Sequence, residues 1–324
     1  MQNKRCGYVA LLGLPNAGKS TLMNACLGTK LAVVSAKPQT TRNRILGICP
    51  VDNTQVLFLD TPGIHKTTGL PKLNSKMTAA AWATLNDADF VCYLVDAAQG
   101  WSDDDSLFFG KLLAVTTSPV LVVATKTDKL KSDIIEQNVA QISERAMECA
   151  NRITAESSES ANEKTPQLYS HNPRLVSAKR PDDVESLRRF LAEQMPPSEW
   201  LYSEDDLTDK PQAFVCSELI REQLFRQLGQ ELPYSVAVKI ESFETKKALT
   251  VIQACIVVHK ENHKAMVIGA RGSRVKAIGQ AARESLERHL ERKVHLELFV
   301  KVQTNWIDSD NLLAEYAGLE KTEE

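Results

Sequence analysis

Apolar residues run through the first half of the chain in short, nearly unbroken blocks, at residues 8–12, 45–49, 56–59, 91–95, 120–124 and 175–176. Blocks of this length without polar alternation are the pattern of strands buried on both faces of a mostly parallel sheet. Helical periodicity fills several of the intervals, first at 21–27, so this half predicts an α/β fold with helices on both faces of the sheet. Residues 50–54, between two of the blocks, predict a hairpin. Beyond residue 210 the pattern changes to helix (213–228), two alternating strands (234–243 and 248–259), two helical segments joined at a glycine-bearing turn, and a last strand (294–302). This order predicts a separate α+β unit. The domain boundaries read as 1–195, an acidic proline-bearing linker at 196–211, a second domain at 212–305 and an acidic tail at 306–324.

A length of 324 residues fits two domains, and 43% hydrophobic with 25% charged residues is a globular composition. No apolar run approaches a membrane span, and Met1 to Arg5 lead straight into the first strand, so a cytoplasmic protein is expected. Seven scattered cysteines with no C-x-x-C pair argue against a disulfide framework or a zinc site. The net charge is only −2, but residues 260–301 carry ten Lys or Arg against five Glu, which marks the second domain as basic.

Chemistry enters at residues 13–20, G-L-P-N-A-G-K-S, which fit G-x-x-x-x-G-K-[ST] between a strand and a helix. Gly13 and Gly18 let the backbone curl so that successive N–H groups, including those of Ala17 and Thr21, face a phosphate. Lys19 brings positive charge to the β/γ oxygens, and the Ser20 hydroxyl suits Mg²⁺. The block at 56–59 ends in D-T-P-G, where Asp60 can hold a water on Mg²⁺ and the Gly63 N–H can meet a γ-phosphate. The block at 120–124 delivers Thr125-Lys126-Thr127-Asp128, similar to the guanine-reading N-K-x-D. Two carboxylate oxygens of Asp128 can accept from guanine N1–H and its 2-amino group together, and the Lys126 stem can cover the base. Thr125 replaces the usual Asn, which predicts somewhat weaker binding with guanine preference kept. Ser177-Ala178-Lys179 resembles the S-A-K loop whose backbone N–H meets guanine O6.

In this order the motifs resemble a small GTPase of the translation-factor-related class. That resemblance implies GTP and GDP as ligands with Mg²⁺, and a switch threonine in the polar stretch 30–44, for which Thr41 is chosen over Thr40. Residues 30–44 and 63–78 are expected as the two moving loops. Ile64 stands where many GTPases carry a water-orienting Gln, so a slow intrinsic rate is expected. Asn16 matches the cradle asparagine that coordinates a monovalent cation in related GTPases, which implies K⁺-stimulated hydrolysis with Lys19, Asn16 and Thr41 as the catalytic groups. The polar stretch 156–169 reads as a surface insertion.

In the second domain, V-I-G-A-R-G flanked by helices resembles the G-x-x-G turn of a type II KH domain, which implies single-stranded RNA as ligand. Gly269, Ala270, Arg271 and Gly272 form the turn, Arg274 and Lys276 add charge, and Val267, Ile268, Val275 and Ile278 are expected to anchor the helix pair and floor the groove. Ala270 stands where a Lys is frequent. A GTPase domain followed by this KH domain is similar to the Era family of ribosome-assembly GTPases. The resemblance implies binding of the 3′ end of 16S rRNA on the maturing 30S subunit. The charged helix at 275–292 suits anionic lipid as well as RNA, so peripheral membrane association is expected, and so is a monomeric state. Rival readings are an RNA chaperone with a vestigial nucleotide site, a tRNA-modifying GTPase, disfavoured because no C-terminal cysteine motif is present, and a membrane-associated signalling GTPase.

Overall fold

The computed structural model describes residues 4–35, 37, 41–63, 71–159, 168–229 and 232–318. They fall into two compact units. The first comprises residues 1–28, 44–66 and 78–209, and the second comprises 29–43, 67–77 and 210–324.

In the first unit, strand β1 (Arg5–Leu12) leads through a tight loop into helix α1 (Lys19–Leu27). The expected hairpin is β2 (Ile45–Val51) and β3 (Thr54–Asp60), turning at Asp52 with φ 50°. Helix α2 (Pro71–Ala83) follows, then β4 (Phe90–Asp96), α3 (Asp103–Val115), β5 (Val120–Thr125), α4 (Ser132–Glu159), β6 (Arg174–Val176) and α5 (Pro181–Gln194). The sheet order is β2-β3-β1-β4-β5-β6, parallel except for β2. β4 is buried at every position and β5 likewise, as unbroken apolar blocks require of strands covered on both faces. Pairing of Leu11 with Asp60, Asp96 with Thr125 and Thr125 with Val176 aligns the carboxyl ends of the parallel strands. Ligands of open α/β sheets bind at that edge.

The second unit contains α6 (Gln212–Gln227), β7 (Val236–Thr245), β8 (Leu249–Val258), α7 (Glu261–Ile268), α8 (Ser273–Leu290), β9 (Lys293–Val302) and α9 (Asp310–Ala317). β7 pairs antiparallel with β8, and β8 pairs parallel with β9. This is the α-β-β-α-α-β order expected from the sequence.

Four expectations change. The linker is not free: Tyr202 and Leu201 donate backbone N–H to Gln55 Oε1, Ile48 N–H bonds Leu207 O, and Trp200 and Tyr202 pack against Cys6, Leu46 and Leu57 of the first unit. The acidic tail contains α9, whose Leu313 and Ala317 join Trp306, Ile307, Ala237, Cys255 and Val257 in a core, because its apolar stripe covers one end of the sheet. The loop expected at 63–78 is helical from Pro71 onward, and Leu73 and Met77 enter that same core. Residues 64–70, with Ile64, lie outside the described residues, as do Thr40 and residues 160–167 of the expected insertion.

The fourth change concerns residues 29–43, which are counted with the second unit. Lys37 donates to Phe225 O (2.6 Å) and Leu228 O at the carboxyl end of α6, where the helix dipole favours a cation. Lys30 pairs with the fully buried Glu222, and Asn43 donates to Ala317 O. The buried Arg42 guanidinium donates to Val236 O at 2.8 Å and stacks over Trp306, and burial pulls its pKa down. All seven cysteines are buried and free.

Candidate functional sites

The loop between β1 and α1 owes its shape to three residues with positive φ: Gly13 (141°), Asn16 (61°) and Gly18 (100°). A Cβ at Gly13 would lie 2.4 Å from Leu94 O, so only glycine lets the loop leave β1 alongside β4. Lys19 is buried, and its Nζ donates to Gly13 O (3.0 Å) and Leu14 O (2.9 Å), so the ammonium is enclosed by the loop. Burial pulls its pKa down to about 8, partly offset by Asp60. Ser20 Oγ donates to Asp60 Oδ2 at 2.6 Å. A hydroxyl and a buried carboxylate side by side are a hard oxygen pair of the kind Mg²⁺ takes. Thr61 Oγ1 donates to Leu11 O and locks the end of β3 to β1. Gly63 approaches the loop closely, a Cβ there falling 3.0 Å from Pro15 Cα. Asn16 and Thr21 are exposed at the rim, while Ala17 is buried.

Next to this loop is a cavity of about 190 Å³ whose lining includes Gly18, Thr125, Lys126, Asp128, Ala178 and Lys179. The base-reading candidates and the cradle therefore share one space. Thr125 Oγ1 donates to Ala17 O at 2.6 Å and also reaches Val95 O at 3.1 Å. Its hydroxyl thus supplies the tie to the cradle expected in place of an asparagine amide. Lys126, in the left-handed region (φ 59°), directs Nζ to Asn16 O and to Asp96 Oδ2 at 2.7 Å. Asp128 accepts from Lys179 Nζ (2.9 Å) and Ser177 Oγ (2.8 Å), and these bonds hold its pKa below the usual carboxylate range. The Ser177 N–H donates to Asp183 Oδ2, which fixes the loop carrying Ala178.

Asp96 and Asp183 are site residues that the motif reading missed. Asp96 ends β4 as Asp60 ends β3, and position at a carboxyl strand end was the signal available. Asp183 had none, because it reads as an ordinary acidic residue in the first turn of α5. Thr41 is buried in the second unit beside Arg42. The residues of the cradle fit a nucleotide and Mg²⁺ in donor type and backbone shape.

In the second unit the turn between α7 and α8 places Gly269 at φ 74°, Arg271 at 51° and Gly272 at 77°. Arg274 Nη1 donates to Met266 O at 2.6 Å and closes the turn, and a Cβ on Gly269 would come within 2.7 Å of Arg274 Cβ. Ala270, Arg271, Arg274 and Lys276 are exposed, and Ile268 and Val275 are half-buried. Val267, expected at the RNA surface, is instead fully buried, as is Ile278. Both anchor the helix pair, Val267 from the buried face of α7 and Ile278 from that of α8. The turn thus presents backbone and three cations over a partly apolar floor, which suits sugar-phosphate.

A phosphate cradle tied to a guanine-reading loop, on a chain that also carries a G-x-x-G unit, defines a GTPase with a KH domain. Residues 8–126 match the family described as 50S ribosome-binding GTPase, and residues 231–307 match the KH domain. GTPase Era of Pseudomonas aeruginosa (strain LESB58) is 39% identical over 311 residues, covering 95% of this chain and 93% of that protein. GTPase Era of Azotobacter vinelandii is 39% identical over 309 residues, covering 95% of each. A crystal structure of Era with MgGDPNP and nucleotides 1506–1542 of 16S ribosomal RNA superposes with TM-score 0.83 at 33% identity, covering 97% of this chain and 98% of that one. A point variant of Aquifex aeolicus Era bound to GDP and AlF4⁻ gives 0.81 at 32%, covering 96% and 98%. The chain belongs to the GTPase Era family. No helix among the described residues is long and apolar enough to cross a membrane.

Proposed function

We propose that the chain binds GTP in the cradle, hydrolyses it, and carries its KH unit to the 3′ end of 16S rRNA on the maturing 30S subunit. The observation that carries the nucleotide reading is Asp128, held ionised by Lys179 and Ser177 in the cavity that Gly18 also lines. Its two oxygens suit the N1–H and 2-amino donors of guanine and nothing on adenine. Xanthine carries an oxygen in place of the 2-amino group, so Asp128→Asn should lose GTP and gain xanthosine triphosphate. Unchanged GTP affinity in that variant would remove the basis for this reading.

Lys19 and the loop N–H groups bind the phosphates, while Ser20 and Asp60, already paired at 2.6 Å, would hold Mg²⁺. When bound, Mg²⁺ supplies charge neutralisation on the phosphate oxygens. Gly63 offers its N–H to the γ-phosphate, Thr125 and Lys126 tie the base-reading loop to the cradle, and Ala178 N–H meets the base. Asn16, exposed at the rim, recruits K⁺; equal hydrolysis rates in K⁺ and Na⁺ buffers would count against that role. Ile268, Gly269 to Gly272, Arg274 and Lys276 meet RNA. The 16S assignment rests on a structure similar over nearly the whole length of both chains. It outweighs the 50S description, which accompanies residues 8–126 alone. The chain acts as a cytoplasmic monomer with peripheral membrane association.

A further inference from the structure

The basic excess of residues 260–301 is larger than the G-x-x-G turn uses. Part of the remainder gathers at the opposite end of the same unit. Leu249 pairs with Lys293 in the first rung between β8 and β9, whereas the turn follows the far end of β8 by way of α7. The 18 residues of α8 span the interval, about 27 Å at the helical rise.

Two local devices fix this end. The β7–β8 hairpin closes with Lys246 N–H donating to Leu249 O at 2.8 Å. The half-buried Arg292 then donates Nη2 to both Lys246 O (2.8 Å) and Lys247 O (3.2 Å), pinning the α8–β9 turn, with Glu291 at φ 52°, against the hairpin tip. Lys246, Lys247 and Lys293 are left exposed together on a braced scaffold, with Arg288 in the last turn of α8. The acidic groups nearby are Glu244, 3.7 Å from Lys246 and itself exposed, Glu291, and Glu287, whose Oε1 is occupied by Val294 N–H. A pair that long and that exposed leaves Lys246 largely available.

We propose that this hairpin tip is a second RNA contact, binding the phosphate backbone of the same RNA strand that lies in the G-x-x-G groove. The inference rests on the RNA reading above. A KH turn clamps about four nucleotides, so a longer RNA leaves the groove with phosphates unneutralised. Three exposed lysines on one rigid edge fit a polyanion and carry no base-reading geometry, so they add affinity and register without sequence preference.

The test uses the full chain with GTP, comparing wild type with Lys246→Gln/Lys247→Gln/Lys293→Gln. Two RNAs are titrated over a salt series: nucleotides 1506–1542 of 16S rRNA and a hexamer from its single-stranded end. Expected is about a tenfold weaker affinity for the long RNA, with a salt slope shallower by about 2, and unchanged affinity for the hexamer. Unchanged binding of both RNAs would make the tip a solvated surface, and equal loss on both would place the effect in the groove; either overturns the proposal while the RNA reading stands. Loss of retention on anionic vesicles with RNA binding intact would reassign the tip to a lipid surface. If wild type binds neither RNA, the RNA reading itself falls and takes this proposal with it.

Discussion

Lys19 and Lys126 are two lysines of the nucleotide site whose charges are balanced differently, and the difference can be measured. Lys19 is enclosed by carbonyls, and its pKa is pulled down to about 8 by burial. Below that pH both folded and unfolded chains hold the proton, so Lys19 adds no slope to stability. Between about 8 and the ordinary lysine value of 10.5 the unfolded chain keeps a proton that the folded chain has released, so stability climbs with pH. The whole rise attributable to Lys19 is of order 3 kcal/mol. Arg42 also has a lowered pKa, so the measurement is a difference: nucleotide-free wild type minus Lys19→Met, unfolded in urea from pH 7.5 to 10 on the order of half-unit steps. Parallel curves would refute the assignment. Lys126 is instead neutralised by Asp96, whose carboxylate also accepts from Ala98 N–H and the Gln99 amide. Asp96→Asn should free Lys126 from its strand-end anchor and loosen the Asn16 carbonyl it holds. Since that tie is made equally in ground and transition states, KM for GTP should rise several-fold with kcat unchanged. A fall in kcat alone would make Asp96 something other than a positioning residue.

Among the elements, the two glycines of the KH turn differ in both backbone strain and crowding. Gly272 (φ 77°, ψ 10°) lies in the left-handed helical region, whereas Gly269 (φ 74°, ψ 177°) lies in a region open essentially to glycine alone. A Cβ on Gly269 also strikes Arg274 at 2.7 Å, whereas one on Gly272 meets nothing within 4 Å. Gly269→Ala should therefore cost about 1–3 kcal/mol more than Gly272→Ala in denaturant unfolding, from the harsher backbone strain and the added overpacking together. Equal costs would mean that Arg274 and the local backbone both yield freely. These glycines were legible in the sequence because their requirement is local, as it is for Gly13 and Gly18. The same holds for Asp60 and Asp128, each delivered by an apolar block that could only be a strand. What stayed hidden depends on partners distant in sequence. Asp96 looks like any strand end until Lys126 is placed beside it. Val267 sits in a helix of eight residues, too short for its period to distinguish a buried face from a ligand-facing one. Residues 201–207 look like linker because their bonds to Gln55 and Ile48 are made by backbone, which leaves no compositional mark.

For the whole molecule, the lesson is that the second unit is not a contiguous piece of chain. Composition changes near residue 211, yet the unit also holds residues 29–43 and 67–77. Leu73 and Met77 are each 1% exposed in the core that contains Trp306 and Leu313, Lys76 bonds Asp310 at 2.8 Å, and Arg42 fills the space between Val236 O and the Trp306 ring. A fragment of residues 210–324 keeps the sheet and helices but uncovers Cys255, Val257 and Trp306. Loss of the two apolar side chains alone should cost about 3–6 kcal/mol, a large share of the stability of a domain this size. Amide exchange in the fragment should therefore be fast in α9 and at the β8 residues beneath it, and slow at the same positions in the intact chain. Chain variants test the cause: Leu73→Ala/Met77→Ala in the full-length protein should reproduce the loss of protection in α9 while exchange in β4 and β5 is unchanged. Full protection of α9 in the fragment would show that the KH unit closes its own core and that the borrowed segments only rest upon it.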